Sequence, residues 1–168
     1  MAVAFVTESA AIAFREAVVP SDLDVVRQIV ESTDFFDAPQ IEVAVELVDE
    51  RLDRGFSSGY YFSFAERAGR TIGFTCYGPI ACTQASFDLY WIAVEMTEQR
   101  RGLGRLLVEE SERQIRLLGG QRVYIETSNR PQYAPTRAFY ERCGYRQEAV
   151  LAEFYAPGDD KVIYVKTL

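Results

Sequence analysis

Three arginines and two glycines lie close together between Gln99 and Arg105, where the chain has the sequence Gln-Arg-Arg-Gly-Leu-Gly-Arg. This segment follows the apolar run from Leu89 to Val94 and begins a helical pattern, so it predicts a turn from a strand into a helix. The first backbone N–H groups of a helix have no internal partner, and the helix dipole favours negative charge there. Glycine allows the backbone to approach an anion closely, and arginine adds charge and forked donors. The spacing therefore predicts a binding site for a phosphate or pyrophosphate group.

Two common phosphate-binding loops do not fit this segment. A Walker A loop requires lysine and then serine or threonine directly after its second glycine, but Arg105 and Leu106 follow Gly104 here. A dinucleotide fingerprint requires a further glycine three residues after Gly104, where this chain has Leu107. The remaining interpretation is one pyrophosphate bound by the consecutive backbone N–H groups from Arg100 to Arg105.

The elements around the turn predict a mixed sheet with helices on both faces. Segments with the composition of strands span 12–18, 60–66, 71–77, 86–94, 122–127, 146–154 and 161–165. Segments with helical spacing of apolar residues follow Pro20 and span 39–54, 103–118 and 135–142. Ser21 and Asp24 resemble a capping box at the start of the first helix. Ligands of such sheets bind at the carboxyl ends of strands, and the basic turn lies at such an end.

Length and composition favour one domain. The chain has 168 residues and is 48% hydrophobic, so we expect a single domain over residues 12–168 after a flexible leader over residues 1–11. No apolar run approaches the roughly 20 residues of a membrane helix, so we expect no membrane partner. The net charge of −7 disfavours nucleic-acid binding, because phosphate backbones require a basic surface.

The histidine and cysteine content narrows the chemistry. The chain has no histidine, which removes histidine-based metal sites and Ser-His or Cys-His catalysis, and we expect no metal. The cysteines Cys76, Cys82 and Cys143 are odd in number and are not spaced as metal pairs, which favours a cytoplasmic location. Because no activating base accompanies Cys143, an acyl-cysteine intermediate is disfavoured.

Two motifs resemble the landmarks of the GNAT superfamily of N-acetyltransferases. The segment from Gln99 to Gly104 is similar to its acetyl-CoA signature, Gln/Arg-x-x-Gly-x-Gly/Ala after an apolar strand. The segment from Ala138 to Tyr145 looks like its second landmark, a helical aromatic-Tyr pair followed by Gly-Tyr. The resemblance covers nearly the whole chain, with some similarity to the ribosomal-protein alanine acetyltransferases. It implies an α/β GNAT fold, a mostly antiparallel sheet of about seven strands with about four helices on both faces.

The resemblance also implies how acetyl-CoA would be held. The backbone of Ile92, Ala93 and Val94 would pair with the pantetheine arm, and an N–H at or near Val94 would polarise the thioester carbonyl. The pyrophosphate would lie on Arg100, Arg101, Gly102, Leu103, Gly104 and Arg105. Arg137 would reach a phosphate or remain a solvated charge. Many family members have asparagine where this chain has Tyr133, so a cofactor contact from the nearby Asn129 stays open.

The resemblance places Tyr140 near the CoA sulfur as the general acid. A phenol has a pKa near about 10 and can protonate a leaving thiolate at little cost. Glu126 matches the position at which the ribosomal-protein alanine acetyltransferases keep a glutamate base. Asp88 and Glu95, which flank the preceding strand, are alternatives for the base.

The acceptor is less well defined by the sequence, since acceptor sites are built from variable loops. Phe36 and Tyr90 belong to a group of aromatic residues that fits a small amine, whereas Tyr155 resembles the tyrosine-bearing turn of N-terminal protein acetyltransferases. We expect transfer to the primary amine of a small metabolite or amino acid, with a protein N-terminus as the alternative. A non-catalytic acyl-CoA-binding module is the second alternative, and a homodimer is a family-level expectation. Arg15 or Arg51 could hold a substrate carboxylate.

Overall fold

The computed structural model describes residues 11–168. Its strands are β1 (Ile12–Arg15), β2 (Tyr61–Arg67), β3 (Arg70–Pro79), β4 (Ser86–Val94), β5 (Arg122–Ser128), β6 (Arg146–Ala156) and β7 (Asp159–Thr167). Its helices are α1 (Asp22–Ser32), α2 (Ala38–Arg54), α3 (Leu103–Leu117) and α4 (Ala134–Arg142). The strands form one sheet in the order β1-β2-β3-β4-β5-β7-β6, in which β4 and β5 are parallel and the other neighbours are antiparallel.

This architecture confirms the predicted fold class, with seven strands and four helices. Apart from Ala11, the leader expected over residues 1–11 lies outside the described residues. The first strand ends at Arg15 instead of residue 18, because its ladder with β2 ends at the pair of Arg15 and Phe64. Within residues 11–168, no helix combines the length and the apolar composition that crossing a membrane would need.

The two faces of the sheet bury different helices. Side chains of one face, including Phe62, Phe64 and Phe74, pack with apolar residues of α1 and α2. The alternate residues face α3, where the buried hydroxyls of Thr75 and Ser111 are hydrogen-bonded at 2.7 Å. Because strand side chains alternate, β4 presents one set of residues to each layer and can therefore line two separate sites.

The helix starts differ from the prediction at one position. Ser21 precedes α1, but its side chain makes no capping hydrogen bond, so the predicted capping box of Ser21 and Asp24 is wrong. The carboxylate of the neighbouring Asp22 accepts from the Val19 N–H instead, which satisfies a donor at that end. A complete capping box lies at α2, where the side chains of Asp37 and Gln40 each accept from the other's backbone N–H.

Strands β4 and β5 separate along their length. They pair in parallel only between Ser86–Asp88 and Arg122–Tyr124, after which β5 continues beside β7. A bulge at Tyr90 interrupts the ladder of β4 with β3, since Tyr77 pairs with Leu89 and Cys76 with Trp91. The carboxyl-terminal half of β4 therefore has a free backbone edge toward β5, next to the turn that begins α3.

Candidate active site

A cavity of about 600 Å³ lies between β4, the basic turn and α4. From β4 it is lined by Ile92 and Val94, which face the α3 side of the sheet. Ala93 between them is buried against α1 and α2 on the other face. The β4 edge beside this cavity has unpaired backbone groups that an extended ligand could pair with, as an additional strand would.

The basic turn is shaped for an anion by its backbone. Arg100 and Gly102 both have left-handed conformations, with φ of 61° and 83°, and α3 begins at Leu103. Left-handed residues next to a helix start orient successive N–H groups toward one side, which produces an anion-binding concavity. The turn is anchored by Gln99, whose side-chain amide donates to the Val94 carbonyl at 3.0 Å. These N–H groups and the helix dipole act on the same point of the cavity.

The predicted cofactor residues divide into two groups. Arg100, Gly102, Gly104 and Arg105 line the cavity. Leu103 has only 2% of its surface exposed, and its side chain belongs to the core, so only its backbone faces the turn. The Arg101 guanidinium extends into solvent and lies 3.6 Å from Glu98. The backbone of the turn is thus available to an anion at more positions than the side chains are.

Arg137 and Asn129 support the loop between β5 and α4. The Arg137 guanidinium donates to the carbonyls of Ser128 at 2.7 Å and Arg130 at 3.1 Å. The Asn129 side chain donates to the Asp160 carboxylate at 2.6 Å and accepts from its backbone N–H at 3.0 Å. Neither residue is among those that line the cavity, so both interactions order the loop that leads into α4.

Tyr140 lines the same cavity from α4. Its side chain is buried, and burial raises the pKa of its phenol well above the ordinary value. Within residues 11–168 the hydroxyl makes no hydrogen bond, yet it is not sealed from the cavity. A phenol in this state remains protonated and has its proton free to donate to a group in the cavity.

The opposite face of the sheet carries a cluster of charges at the point where β4 and β5 diverge. Glu126 and Lys161 form an ion pair, with 2.5 Å between Oε2 and Nζ. Burial raises the pKa of Asp88 to about 6, and the nearby Glu126 carboxylate adds to the increase while Lys161 opposes it. Because side chains alternate along β5, Glu126 lies on this face while Val123 and Ile125 lie in the core on the other.

The third candidate for a base, Glu95, lies in a different environment. Its carboxylate forms an ion pair with Arg70, and both residues line a separate cavity of about 430 Å³ beside α1. Arg15 lines that cavity too and is bound by Asp22 and Glu66. Arg51 lies over the Phe56 ring, with its guanidinium carbon 3.6 Å from the centroid. The structure thus groups Asp88 with Glu126 and separates Glu95 from them.

Aromatic side chains surround the charged face. Phe36 contacts Trp91 of β4 with centroids 4.9 Å apart, and Tyr90 contacts Tyr60 at 5.6 Å. Tyr155 is about half exposed, and burial together with the charge of Glu126 raises the pKa of its phenol to about 12. Tyr90 therefore lies near Asp88, Tyr155 lies near Glu126, and Phe36 lies on the same side of the sheet through its contact with Trp91. We call the surface around these side chains the groove.

Sequence reasoning missed Lys161 and several residues of α4. Thr136, Phe139 and Cys143 line the cavity beside Tyr140. Thr136 and Cys143 lie four and three residues from Tyr140, and Phe139 lies three and four residues from Thr136 and Cys143, so this helical spacing could have identified the cavity face of α4. Lys161 had no such signal, since its partner Glu126 is 35 positions away on a different strand. Among the described residues, no cluster of acidic or cysteine side chains has the arrangement of a metal site.

Comparisons with known proteins agree on the fold. The family model described as Acetyltransferase (GNAT) domain matches residues 58–147. A crystal structure from Desulfovibrio desulfuricans, described as of the GNAT family, has a TM-score of 0.92 at 50% identity and covers 94% of this chain and 99% of its own. An aminoglycoside 6'-N-acetyltransferase complexed with coenzyme A has a TM-score of 0.72 at 18% identity, covering 94% of this chain and 96% of its own. The ribosomal-protein-S18-alanine N-acetyltransferase from Escherichia coli has a TM-score of 0.71 at 19% identity and covers 94% of each chain. A search of curated proteins found no match.

Proposed function

Because this chain belongs to the GNAT family of acetyltransferases, we propose that it transfers the acetyl group of acetyl-CoA directly to the primary amine of a small metabolite or amino acid. The observation that carries the proposal is the position of the two sites on β4. The cavity with the anion-binding turn lies on one face, and the groove with Asp88 and Glu126 lies on the other. An acyl group at the gap between β4 and β5 would be within reach of both.

The residues of the cavity fit acetyl-CoA. The N–H groups from Arg100 to Arg105 would bind the pyrophosphate, supported by the charge of the Arg100 and Arg105 side chains. The free edge of Ile92, Ala93 and Val94 would pair with the amides of the pantetheine arm. Together these contacts would place the thioester beside the groove, which contributes to the rate by proximity.

The transfer requires stabilisation of the oxyanion and two proton movements. An N–H at or near Val94 would donate to the thioester oxygen as negative charge develops. The nitrogen attacks the carbonyl carbon, the carbon–sulfur bond breaks, and Tyr140 would donate its proton to the leaving thiolate. After attack the nitrogen carries one proton too many, and solvent would carry that proton to Tyr140. A second proton has to leave the acceptor ammonium before attack, and the carboxylates of Asp88 and Glu126 would be the groups that receive it.

The groove favours an acceptor with one positive charge and an apolar body. Its carboxylates Asp88 and Glu126 exceed its one lysine, Lys161, by one charge, which an ammonium would balance. The rings of Phe36 and Tyr90 would cover the rest of the molecule. Phe154 and Tyr155 are about half exposed beside Glu126, which favours a peptide N-terminus as the alternative acceptor, since a longer chain could extend over them.

We further propose a cytoplasmic homodimer. The cysteines Cys76, Cys82 and Cys143 are all free, as a reducing compartment requires. β6 is an edge strand whose apolar residues Val150 and Leu151 are each more than 40% exposed. Pairing with β6 of a second copy would cover both the edge and these side chains. Sedimentation at micromolar concentration tests this, and a monomer there would contradict it.

An acceptor screen tests the main proposal. Acetyl-CoA would be incubated with amino acids, polyamines, arylalkylamines, aminoglycosides and peptides, with thiol release and product mass as readouts. We expect a small amine to gain the mass of one acetyl group with one thiol released. Turnover restricted to peptides would establish the alternative acceptor class. Binding of acetyl-CoA without any acetylated amine would indicate a non-catalytic acyl-CoA-binding module.

A further inference from the structure

Lys161 is a charged residue that the proposed mechanism has not used. Only 8% of its surface is exposed, although its partner Glu126 is about half exposed. Its Nζ atom lies 2.5 Å from Glu126 Oε2 and 3.6 Å from the centroid of the Phe154 ring, with Tyr155 at 5.8 Å. An enclosed ammonium is costly unless it is paired, so the buried Lys161 requires the Glu126 carboxylate beside it, which is itself about half exposed.

Asp88 has no comparable partner. Within residues 11–168 its carboxylate forms neither an ion pair nor a side-chain hydrogen bond, although it is partly buried at the end of the β4–β5 ladder. Glu126 and Lys161 are the charged groups close enough to affect its ionisation. The cluster thus contains one carboxylate fixed by a cation and one carboxylate that is free to exchange a proton.

We propose that Lys161 is a positioning residue that holds Glu126 as an ion-paired anion and thereby leaves Asp88 as the group that accepts the proton of the acceptor ammonium. This inference rests on the proposed function. An N–H bond of the ammonium breaks, its electron pair stays on nitrogen, and an O–H bond forms on Asp88. The neutral amine then attacks the thioester, and Asp88 releases its proton to solvent after the product leaves. No other reactant is required.

The groups around Asp88 support this division of roles. Glu126 of β5 is negative and disfavours a second charge on Asp88, while Lys161 of β7 favours it. The other titratable neighbour of Asp88 is the uncharged phenol of Tyr90 on β4, which in turn lies near Tyr60 and the buried thiol of Cys76. Tyr155 of β6 lies near Glu126, Asp159 and Tyr133. Burial of Asp88, increased by the Glu126 charge and opposed by the Lys161 charge, raises its pKa to about 6, which suits a base that must be ionised at neutral pH and still bind a proton.

A titration of the Asp88 carboxyl carbon by NMR tests the electrostatic half of the inference without any acceptor. We expect Lys161→Met to raise the midpoint by about one pH unit or more, Lys161→Arg to leave it nearly unchanged, and Glu126→Gln to lower it. Each variant must retain the wild-type affinity for acetyl-CoA, which shows that it is folded. An Asp88 midpoint that does not respond to Lys161→Met would overturn the inference whatever the enzyme does.

The pH dependence of kcat/KM for one fixed acceptor tests the catalytic half. We expect Asp88→Asn to lower kcat/KM by about 100-fold or more. It should also remove the acid limb of the profile, which is the fall in kcat/KM at low pH caused by protonation of an enzyme group. Glu126→Gln should keep that limb, and Lys161→Met should move it to higher pH. Asp53→Asn, on the exposed surface of α2, is the matched control and should match wild type.

Loss of the limb in Glu126→Gln with its retention in Asp88→Asn would instead make Glu126 the base. If no amine is acetylated at all while the carboxyl titration behaves as expected, the proposed function fails and the charge arrangement stands.

Discussion

Lys166 Nζ lies 2.8 Å from both carboxylate oxygens of Glu112 and donates to the Cys143 carbonyl at the same distance. Glu112 belongs to α3, Cys143 follows α4, and Lys166 is on β7. One ammonium group therefore joins two helices that border the proposed acetyl-CoA cavity to the sheet behind them. The distance between the basic turn and Tyr140 depends on how these helices are held.

Removal of this ammonium should destabilise the protein. Lys166→Met leaves the buried carboxylate of Glu112 with only the more distant Arg116 guanidinium, at 4.0 Å, which we expect to lower the free energy of unfolding by about 3 kcal/mol. Chemical denaturation measures this directly. The double variant Lys166→Met with Glu112→Leu removes both charges and should recover most of the loss. If the double variant is no more stable than the single one, the buried charge is not the cause.

Substitution of Tyr140 should separate chemistry from binding. Tyr140→Phe removes a hydroxyl that makes no hydrogen bond within the described residues, so we expect the melting temperature to stay the same. The rate kcat should fall by about 100-fold if this proton reaches the thiolate, with the Kd for acetyl-CoA unchanged. Calorimetric binding and stopped-flow turnover provide the two readouts. Wild-type turnover in this variant would remove Tyr140 from the proposed mechanism.

The left-handed backbone of Gly102 should be required for tight binding of acetyl-CoA. Gly102 has φ of 83°, so Gly102→Ala strains the turn by about 1 kcal/mol or shifts its N–H groups out of line. We expect the Kd for acetyl-CoA to rise by about tenfold. Gly158 in the β6–β7 turn has φ of 76°, and Gly158→Ala is the matched control with similar strain. An equal effect of the two variants on the Kd would mean that general destabilisation explains the result.

The ionisation of Asp88 should make stability depend on pH. Its pKa is raised to about 6 in the folded protein from an ordinary value of 3.8, so the folded state binds this proton more tightly than the unfolded state. The stability from this group is therefore complete below pH 3.8 and is lost as pH rises through 6. We expect Asp88→Asn to raise the melting temperature at pH 7.5, with the advantage disappearing near pH 4. Thermal melts across that range check it, and an advantage that grows toward acid pH would contradict the raised pKa.

Local patterns were sufficient for the elements and for the turn from Gln99 to Arg105 that leads into α3. The alternation of strands and the helical spacing predicted all seven strands and four helices, with errors at ends such as that of β1. Strand ends were less predictable, because a strand ends where its neighbour stops pairing with it, as Arg15 does beside Phe64. The first capping box failed because the Ser21 side chain makes no capping hydrogen bond, although the residue types are suitable, while the neighbouring Asp22 accepts from the Val19 N–H.

The sequence by itself determined the family and the turn from Gln99 to Arg105, because both depend on residues that are close together in the chain. Only the tertiary structure decided which charges share a site. Asp88, Glu126 and Lys161 lie on three strands, and the parallel pairing of β4 with β5 and the return of β7 bring them to one face of the sheet. Glu95 is only seven positions from Asp88, yet it lies at the end of β4 beside Arg70. Ionisation depends on distance and burial in space, and neither follows from separation along the chain.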